Sequence, residues 1–169
     1  MSEQYPFVLV VMGLPGSGKT FLAKRLAPVL NAVHISSDRV RKQEQRLGWY
    51  TSSDKQWIYQ EMLVQATKLL QQEKSVVLDG TFHRRTYRQL VKDFAAIHRW
   101  PLFFVEMTAG EETIHQRVTK PRPDSEADYP VYQLLKQQYE PLQLPHLPLD
   151  SSRQSVEEML GAVENYLTQ

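Results

Sequence analysis

Short apolar runs rich in β-branched residues alternate along the chain with longer stretches whose apolar positions recur every three or four residues. This alternation predicts βαβ units built on a parallel sheet. Phe7 to Val11 is apolar at every position, the pattern of a central strand buried on both faces. A glycine-rich turn follows, and the spacing then predicts a helix from about Lys19 to Leu30. Val33-His34-Ile35 reads as a short second strand closed by Ser36 and Ser37, either of which can cap the next helix. From Asp54 to Gln72 the apolar residues Trp57, Met62, Leu63, Ala66, Leu69 and Leu70 fall at helical spacing; Trp57 and Tyr59 read as core and helix surface. Val76-Val77-Leu78 is the next buried strand. A helix using Tyr87, Leu90, Val91, Phe94 and Ile97 precedes a strand from Leu102 to Val105, and another helix is entered near Thr108. Leu147 to Leu149 reads as a short last strand. Ser155-Val156-Glu157-Glu158 is a capping box that opens a helix with Val156, Met159, Leu160, Val163 and Leu167 on one face.

One region breaks the alternation. Six of the ten prolines lie between positions 121 and 148, where they forbid a long continuous helix. Within it, Lys120 to Asp128 reads as a polar, mobile loop, either a functional loop over a rigid sheet or a solvated connector.

Composition narrows the classes. At 169 residues the chain amounts to a single domain spanning 1–169, and 41% hydrophobic content is enough for a packed core. With no cysteine, disulfide scaffolds and thiolate-ligated metal sites are excluded, which fits a reducing cytoplasmic setting. A net charge of +1 gives no global attraction to nucleic acid or anionic lipid, so any basic site must be local. The apolar run Phe7 to Met12 is too short to span a membrane and has no positively charged stretch before it, so no membrane partner is expected. The five histidines show no paired ligand spacing for zinc, and no Gly-x-Ser-x-Gly elbow is present.

The strongest motif is Gly13-Leu-Pro15-Gly16-Ser17-Gly18-Lys19-Thr20, a full match to G-x-x-x-x-G-K-[ST] placed directly after a buried strand and at a helix start. Its glycines let the backbone turn its N–H groups around a polyphosphate. The helix start adds positive potential, Lys19 reaches the β- and γ-phosphates, and the Thr20 hydroxyl suits Mg²⁺. ATP and Mg²⁺ are therefore the expected ligands.

Open α/β sheets bind ligands outside the carboxyl ends of their strands, so polar residues at those ends are the next candidates. Asp38 lies just after the second strand and Asp79 just after the third, placing both carboxylates toward the crevice that holds Lys19. Asp38 reads as a general base or hydroxyl-orienting residue, with helix capping or a salt bridge to Arg41 or Lys42 as the structural alternative. Asp79 reads as a Mg²⁺ partner or as an ordinary Asp-Gly turn. Arg41, one turn after Asp38, is either a clamp on an anionic acceptor or a surface arginine. Arg117, Lys120 and Arg122 supply charge that can neutralise a transferring phosphoryl group, with Arg117 the favoured member.

Taken together, these motifs resemble the P-loop kinases of the polynucleotide kinase, chloramphenicol phosphotransferase, gluconate kinase and zeta-toxin group. The resemblance runs through Gly13 to Thr20, Ser37-Asp-Arg-Val-Arg-Lys42, Val76-Val-Leu-Asp-Gly-Thr81, and Arg117 followed by Asp124-Ser-Glu-Ala-Asp128. It implies a nucleoside-kinase-like, three-layer α/β sandwich with a five-stranded parallel core, the P-loop strand at its centre, and a mobile lid over about 117–130. It also implies that Asp38 activates the acceptor, that Arg41 holds an acceptor phosphate, and that Arg117 contacts ATP. Many relatives carry a second lid arginine one turn after the first. Position 121 here is Pro, so Lys120 or Arg122 would substitute.

The expected activity is ATP- and Mg²⁺-dependent transfer of the γ-phosphate to a hydroxyl of a small molecule. Two alternatives stand beside it: a polynucleotide or nucleoside 5′-hydroxyl kinase, and a regulatory module that hydrolyses ATP slowly. The nucleic-acid alternative draws on Arg39, Arg41, Lys42 and His83-Arg84-Arg85-Thr-Tyr-Arg88, with Trp49, Tyr50 and Phe82 nearby; solvated helix faces explain the same charges.

Overall fold

The computed structural model describes residues 5–46, 48, 51–122 and 127–169. Among them a single parallel sheet runs in the order β2-β3-β1-β4-β5, with β1 (Val8–Gly13), β2 (Ala32–Ser36), β3 (Ser75–Gly80), β4 (Leu102–Thr108) and β5 (Leu147–Asp150). The helices are α1 (Lys19–Val29), α2 (Ser37–Gln43), α3 (Ser52–Gln71), α4 (Arg85–His98), α5 (Glu111–Val118), α6 (Tyr129–Gln138) and α7 (Val156–Leu167).

Strand pleating sorts β1 between two cores. Val8, Val10 and Met12 pack with residues of α2, α3 and α4, while Leu9 and Val11 pack with α1 and α7. Burial on both faces is why β1 is apolar throughout, and it makes the molecule a three-layer sandwich. A third, smaller cluster of Ile114, Val118 and Tyr132 joins α5 to α6 and seats them on Leu14 of the glycine-rich turn. Register aligns the strand ends: Asp79 pairs with Val11 on one side and Ser36 on the other. The turn after β1, the start of α2 and Asp79 are thereby brought to one edge.

Several boundaries differ from the sequence reading for local reasons. α3 starts earlier, because Thr51 caps it in a capping box with Asp54. β4 runs through Thr108, so α5 opens only at Glu111, behind Gly110. In the proline-rich region α6 forms after all: Asp128 accepts from the Val131 N–H at 3.1 Å, and Pro130 sits in the first turn, where a missing N–H costs nothing. Tyr59 is core and not helix surface. Its ring stacks on Phe82 at 4.3 Å and its hydroxyl accepts from the Phe82 N–H at 2.9 Å.

Phe82 holds a left-handed backbone (φ 46°), which a bulky residue adopts only when its surroundings impose it. Arg88 supplies the constraint from the other side. Its Nε donates to the Phe82 carbonyl at 2.8 Å, and its terminal nitrogens donate to the carbonyls of His83 (3.1 Å), Pro141 (3.2 Å) and Glu140. At 2% exposure Arg88 is thus a buried staple, which corrects its reading as a surface cation for nucleic acid; Arg85, exposed, pairs with Glu140 at 3.6 Å.

His83 is buried against the edge of Tyr87, and burial pushes it down to about 4, with Lys55 and then Arg84 adding to the shift. The unfolded chain holds a proton on this ring below about 6.5, whereas the folded protein takes one up only near 4. Stability is therefore lost as pH falls between those values, by roughly 2–3 kcal/mol for this one group. Urea unfolding of wild type and His83→Phe across that window checks it: the variant's curve should be flatter, and parallel curves would refute the assignment.

Candidate active site

The glycine-rich turn is shaped by backbone that excludes side chains. Gly16 and Gly18 have φ of 81° and 91°, and a Cβ at Gly13 would lie 2.5 Å from the Met107 carbonyl oxygen. Gly18 caps α1 without a side-chain acceptor, no acidic residue occupies the first turn, and the buried Ser17 hydroxyl lacks a partner among the described residues. A polyphosphate fits this set of inward donors at a helix start. Lys19 follows, and burial pulls its ammonium below the ordinary lysine range, opposed by the charges of Asp79 and Asp38.

Asp38 lies in the first turn of α2, but the capping role belongs to Ser36, whose hydroxyl accepts from the Arg39 N–H at 3.4 Å. Asp38 is therefore not the cap, but the salt bridge that stood as its structural alternative is present. It pairs with Arg41, whose Nη1 donates to Oδ1 at 2.8 Å; Arg41 is itself buried. Burial pushes the Asp38 carboxyl up, against the opposing charges of Lys19 and Arg41.

Asp79 sits inside β3 at 1% exposure, and its Oδ2 is 2.9 Å from His34 Nε2. The other ring nitrogen of His34 meets the Arg39 guanidinium. A guanidinium only donates, so His34 Nδ1 accepts and Nε2–H donates to Asp79. A relay from Arg39 through His34 therefore orients Asp79. No sequence motif signals it, because the link joins β2 to β3 across the sheet. Thr20 lines the larger cavity with a hard hydroxyl oxygen, which fits Mg²⁺, whereas the Asp79 carboxylate, also a hard donor, is buried on His34 and lines neither cavity.

Arg117 is anchored on α5: its Nη1 donates to the Gly16 carbonyl at 3.0 Å and to Ser151 Oγ at 2.8 Å. Ser151 in turn donates to the Ser17 carbonyl at 2.7 Å, tying the end of β5 to the glycine-rich turn. The strand-end rule, extended to the last strand, would have found Ser151. Of the two substitutes for a second lid arginine, Lys120 and Arg122 both line the large cavity. Arg122 also lies within electrostatic reach of Lys19 and Asp38, and donates to the Ala127 carbonyl at 2.7 Å. Trp49, Tyr50 and residues 123–126, including Asp124, lie outside the described residues.

Two cavities meet here. The larger, about 800 Å³, is lined by Gly16, Lys19, Thr20, Arg117, Arg122 and the apolar Phe21, Val156 and Met159. The smaller, about 40 Å³, is bounded by Pro15, Arg41, Lys55, Tyr59, Thr81 and Val131. Lys19 and Asp38 line both. No cluster of three or more metal-ligating His, Cys, Asp or Glu occurs among the described residues, and no described helix is long and apolar enough to cross a membrane.

Comparison with known proteins gives the family and the fold. The model of the family described as AAA domain (AAA_33) matches residues 8–142. An uncharacterized protein of Mycobacterium tuberculosis is 33% identical over 99 residues, covering 52% of this chain; the match spans only 20% of that longer relative. Among solved structures, a sugar kinase from Janibacter superposes with a TM-score of 0.77 at 19% identity, covering 96% of this chain and 95% of the other. The APS kinase of Mycobacterium tuberculosis, solved with AMPPNP and APS, gives 0.78 at 19% identity over 98% and 99%. The fold is that of the P-loop kinases.

Proposed function

We propose, from the premise that this chain belongs to the AAA domain family (AAA_33) and carries the P-loop kinase fold, that it is an ATP- and Mg²⁺-dependent phosphotransferase acting on a hydroxyl of a small molecule. The observation that carries this reading is the junction of the two cavities at Lys19 and Asp38. A nucleotide in the larger cavity points its terminal phosphate at a carboxylate that also faces the smaller one. A module that only hydrolyses ATP has no use for that second compartment.

Gly13, Pro15, Gly16, Ser17, Gly18, Lys19 and Thr20 hold the phosphates, and Phe21, Val156 and Met159 offer an apolar end for the base. Asp38 takes the proton of the acceptor hydroxyl as its oxygen bonds to the γ-phosphorus. The bond from that phosphorus to the β,γ-bridging oxygen breaks, and ADP leaves. The raised affinity of Asp38 for a proton suits it to this work, and Arg41 holds its orientation. Lys19, Arg117 and Arg122 bring positive charge to the transferring group. Mg²⁺, when bound, supplies charge neutralisation on the β- and γ-phosphates; the Thr20 hydroxyl and the Asp79 carboxylate would hold it or its waters. The lack of cysteine supports action in the reducing cytoplasm.

ATP with Mg²⁺ should raise the thermal midpoint of the wild type, the equivalent of about 2–3 kcal/mol when the nucleotide is roughly a hundredfold above its Kd. Lys19→Ala should lose most of that shift. ADP formation should accelerate with hydroxyl compounds and not with their deoxy counterparts. An unshifted midpoint, or ADP formation indifferent to every hydroxyl compound, would count against the reading.

A further inference from the structure

The hydroxyl of Ser151 stands between a cation and the glycine-rich turn and bonds to both. Its oxygen accepts from Arg117 Nη1 at 2.8 Å, and its proton goes to the Ser17 carbonyl at 2.7 Å. The Ser151 N–H donates to the Thr108 carbonyl at 2.9 Å, so the residue is fixed to the end of β4 independently of its side chain. A Cβ placed on Gly18 would lie 3.1 Å from Ser151 Oγ and 3.6 Å from Arg117 Nη1. Both groups therefore rest against the turn itself.

These bonds orient Arg117 without neutralising it. A guanidinium carries five N–H groups, and the two on Nη1 are spent on Ser151 and on the Gly16 carbonyl at 3.0 Å. Nε and Nη2 keep the other three. Both partners are uncharged, and among the described residues no carboxylate pairs with Arg117. Arg117 and Ser151 line the larger cavity together with Gly16, Gly18, Lys19 and Thr20. The helix that carries Arg117 is also pressed onto the turn, since a Cβ at Gly16 would come within 2.9 Å of Val118 Cγ1. An arginine already held in place loses little further rotamer freedom when an anion meets it, which strengthens the contact.

We infer that Ser151 is a positioning residue for Arg117: by holding Nη1, its hydroxyl directs the remaining N–H groups to the terminal phosphate of a bound nucleoside triphosphate. This rests on the kinase reading for placing a triphosphate in the larger cavity, but it requires neither an acceptor nor turnover.

The test is calorimetric titration with ADP and, separately, with the non-hydrolysable triphosphate AMPPNP, each with Mg²⁺. The proteins are wild type, Ser151→Ala, Arg117→Ala and the double variant. The quantity read is the ratio of AMPPNP affinity to ADP affinity, which isolates the terminal phosphate. Ser151→Ala should lower that ratio by about tenfold and Arg117→Ala by at least as much, while the double variant falls no further than Arg117→Ala. Ser151→Thr keeps the hydroxyl and should stay within about threefold of wild type. ADP affinity in Ser151→Ala should also stay within about threefold, which shows that the variant is folded. An unchanged ratio in Ser151→Ala, equal weakening of ADP and AMPPNP, or losses that multiply in the double variant would overturn the assignment. So would a loss in Ser151→Thr as large as that of Arg117→Ala. A hydroxyl that merely braces the turn gives the second of these results, because a loosened turn weakens both nucleotides alike. Failure of the kinase reading appears differently. It shows either as absence of both isotherms in the wild type, which removes this inference with it, or as ADP formation that no hydroxyl compound accelerates.

Discussion

In Asp38→Asn, phosphorylation of the acceptor is expected to fall by about 10²–10⁴-fold while affinity for ATP changes little. The substitution keeps the shape of the side chain, and its amide oxygen can still accept from Arg41 Nη1, so the contact that orients position 38 survives. What is lost is the ability to take a proton. On the proposed reading the nucleotide is held by Gly13 to Thr20 and by residues of α5 and α7 that Asp38 does not contact, which is why the two properties should separate. The pH profile gives a second check. Burial raises the Asp38 carboxyl, so wild-type kcat/KM should decline with falling pH at a higher value than an ordinary carboxylate allows, and the variant should lack that limb. Phosphorylation at the wild-type rate by Asp38→Asn would refute the base assignment.

Arg88→Met should destabilise the fold by about 3–5 kcal/mol, because four backbone carbonyls lose their charged donor in a buried place. Two of them, of Phe82 and His83, belong to the left-handed turn after β3, and two, of Glu140 and Pro141, to the chain after α6. The guanidinium holds these segments together beside a direct bond from the Glu140 N–H to the His83 carbonyl at 2.8 Å. Arg88→Lys should recover little, since an ammonium cannot fork to four carbonyls at once. Urea unfolding measures both variants; a loss below about 1 kcal/mol in Arg88→Met would show that the staple is dispensable.

Features governed by short-range rules were legible in the sequence. The unbroken apolar run of β1, the glycine-rich turn and the Ser155–Glu158 capping box each depend on residues close in sequence, and each is found where those rules put it. Asp38 and Asp79 were reachable because parallel sheets align their carboxyl ends. The rest depends on distant pairs. The His34–Asp79 bond crosses 45 residues and the Ser151–Ser17 bond 134, and neither leaves a periodic trace. Arg88 looked like one more basic residue among Arg84 and Arg85, since sequence cannot show that a left-handed Phe82 and the chain after α6 enclose it. α6 did carry a local signal, an aspartate two residues before a proline, but the surrounding prolines obscured it.

The central claim is that the phosphoryl group crosses from the larger cavity to the smaller at the Lys19–Asp38 junction. The most direct measurement follows the label of γ-³²P-ATP in the presence of Mg²⁺ and a mixed pool of small hydroxyl compounds, neutral and charged, separating labelled organic product from inorganic phosphate. The account predicts that the wild type places most of the label on an organic hydroxyl and that Asp38→Asn abolishes this transfer while retaining ATP. Release of the label only as inorganic phosphate, at one rate with or without the pool, would contradict it.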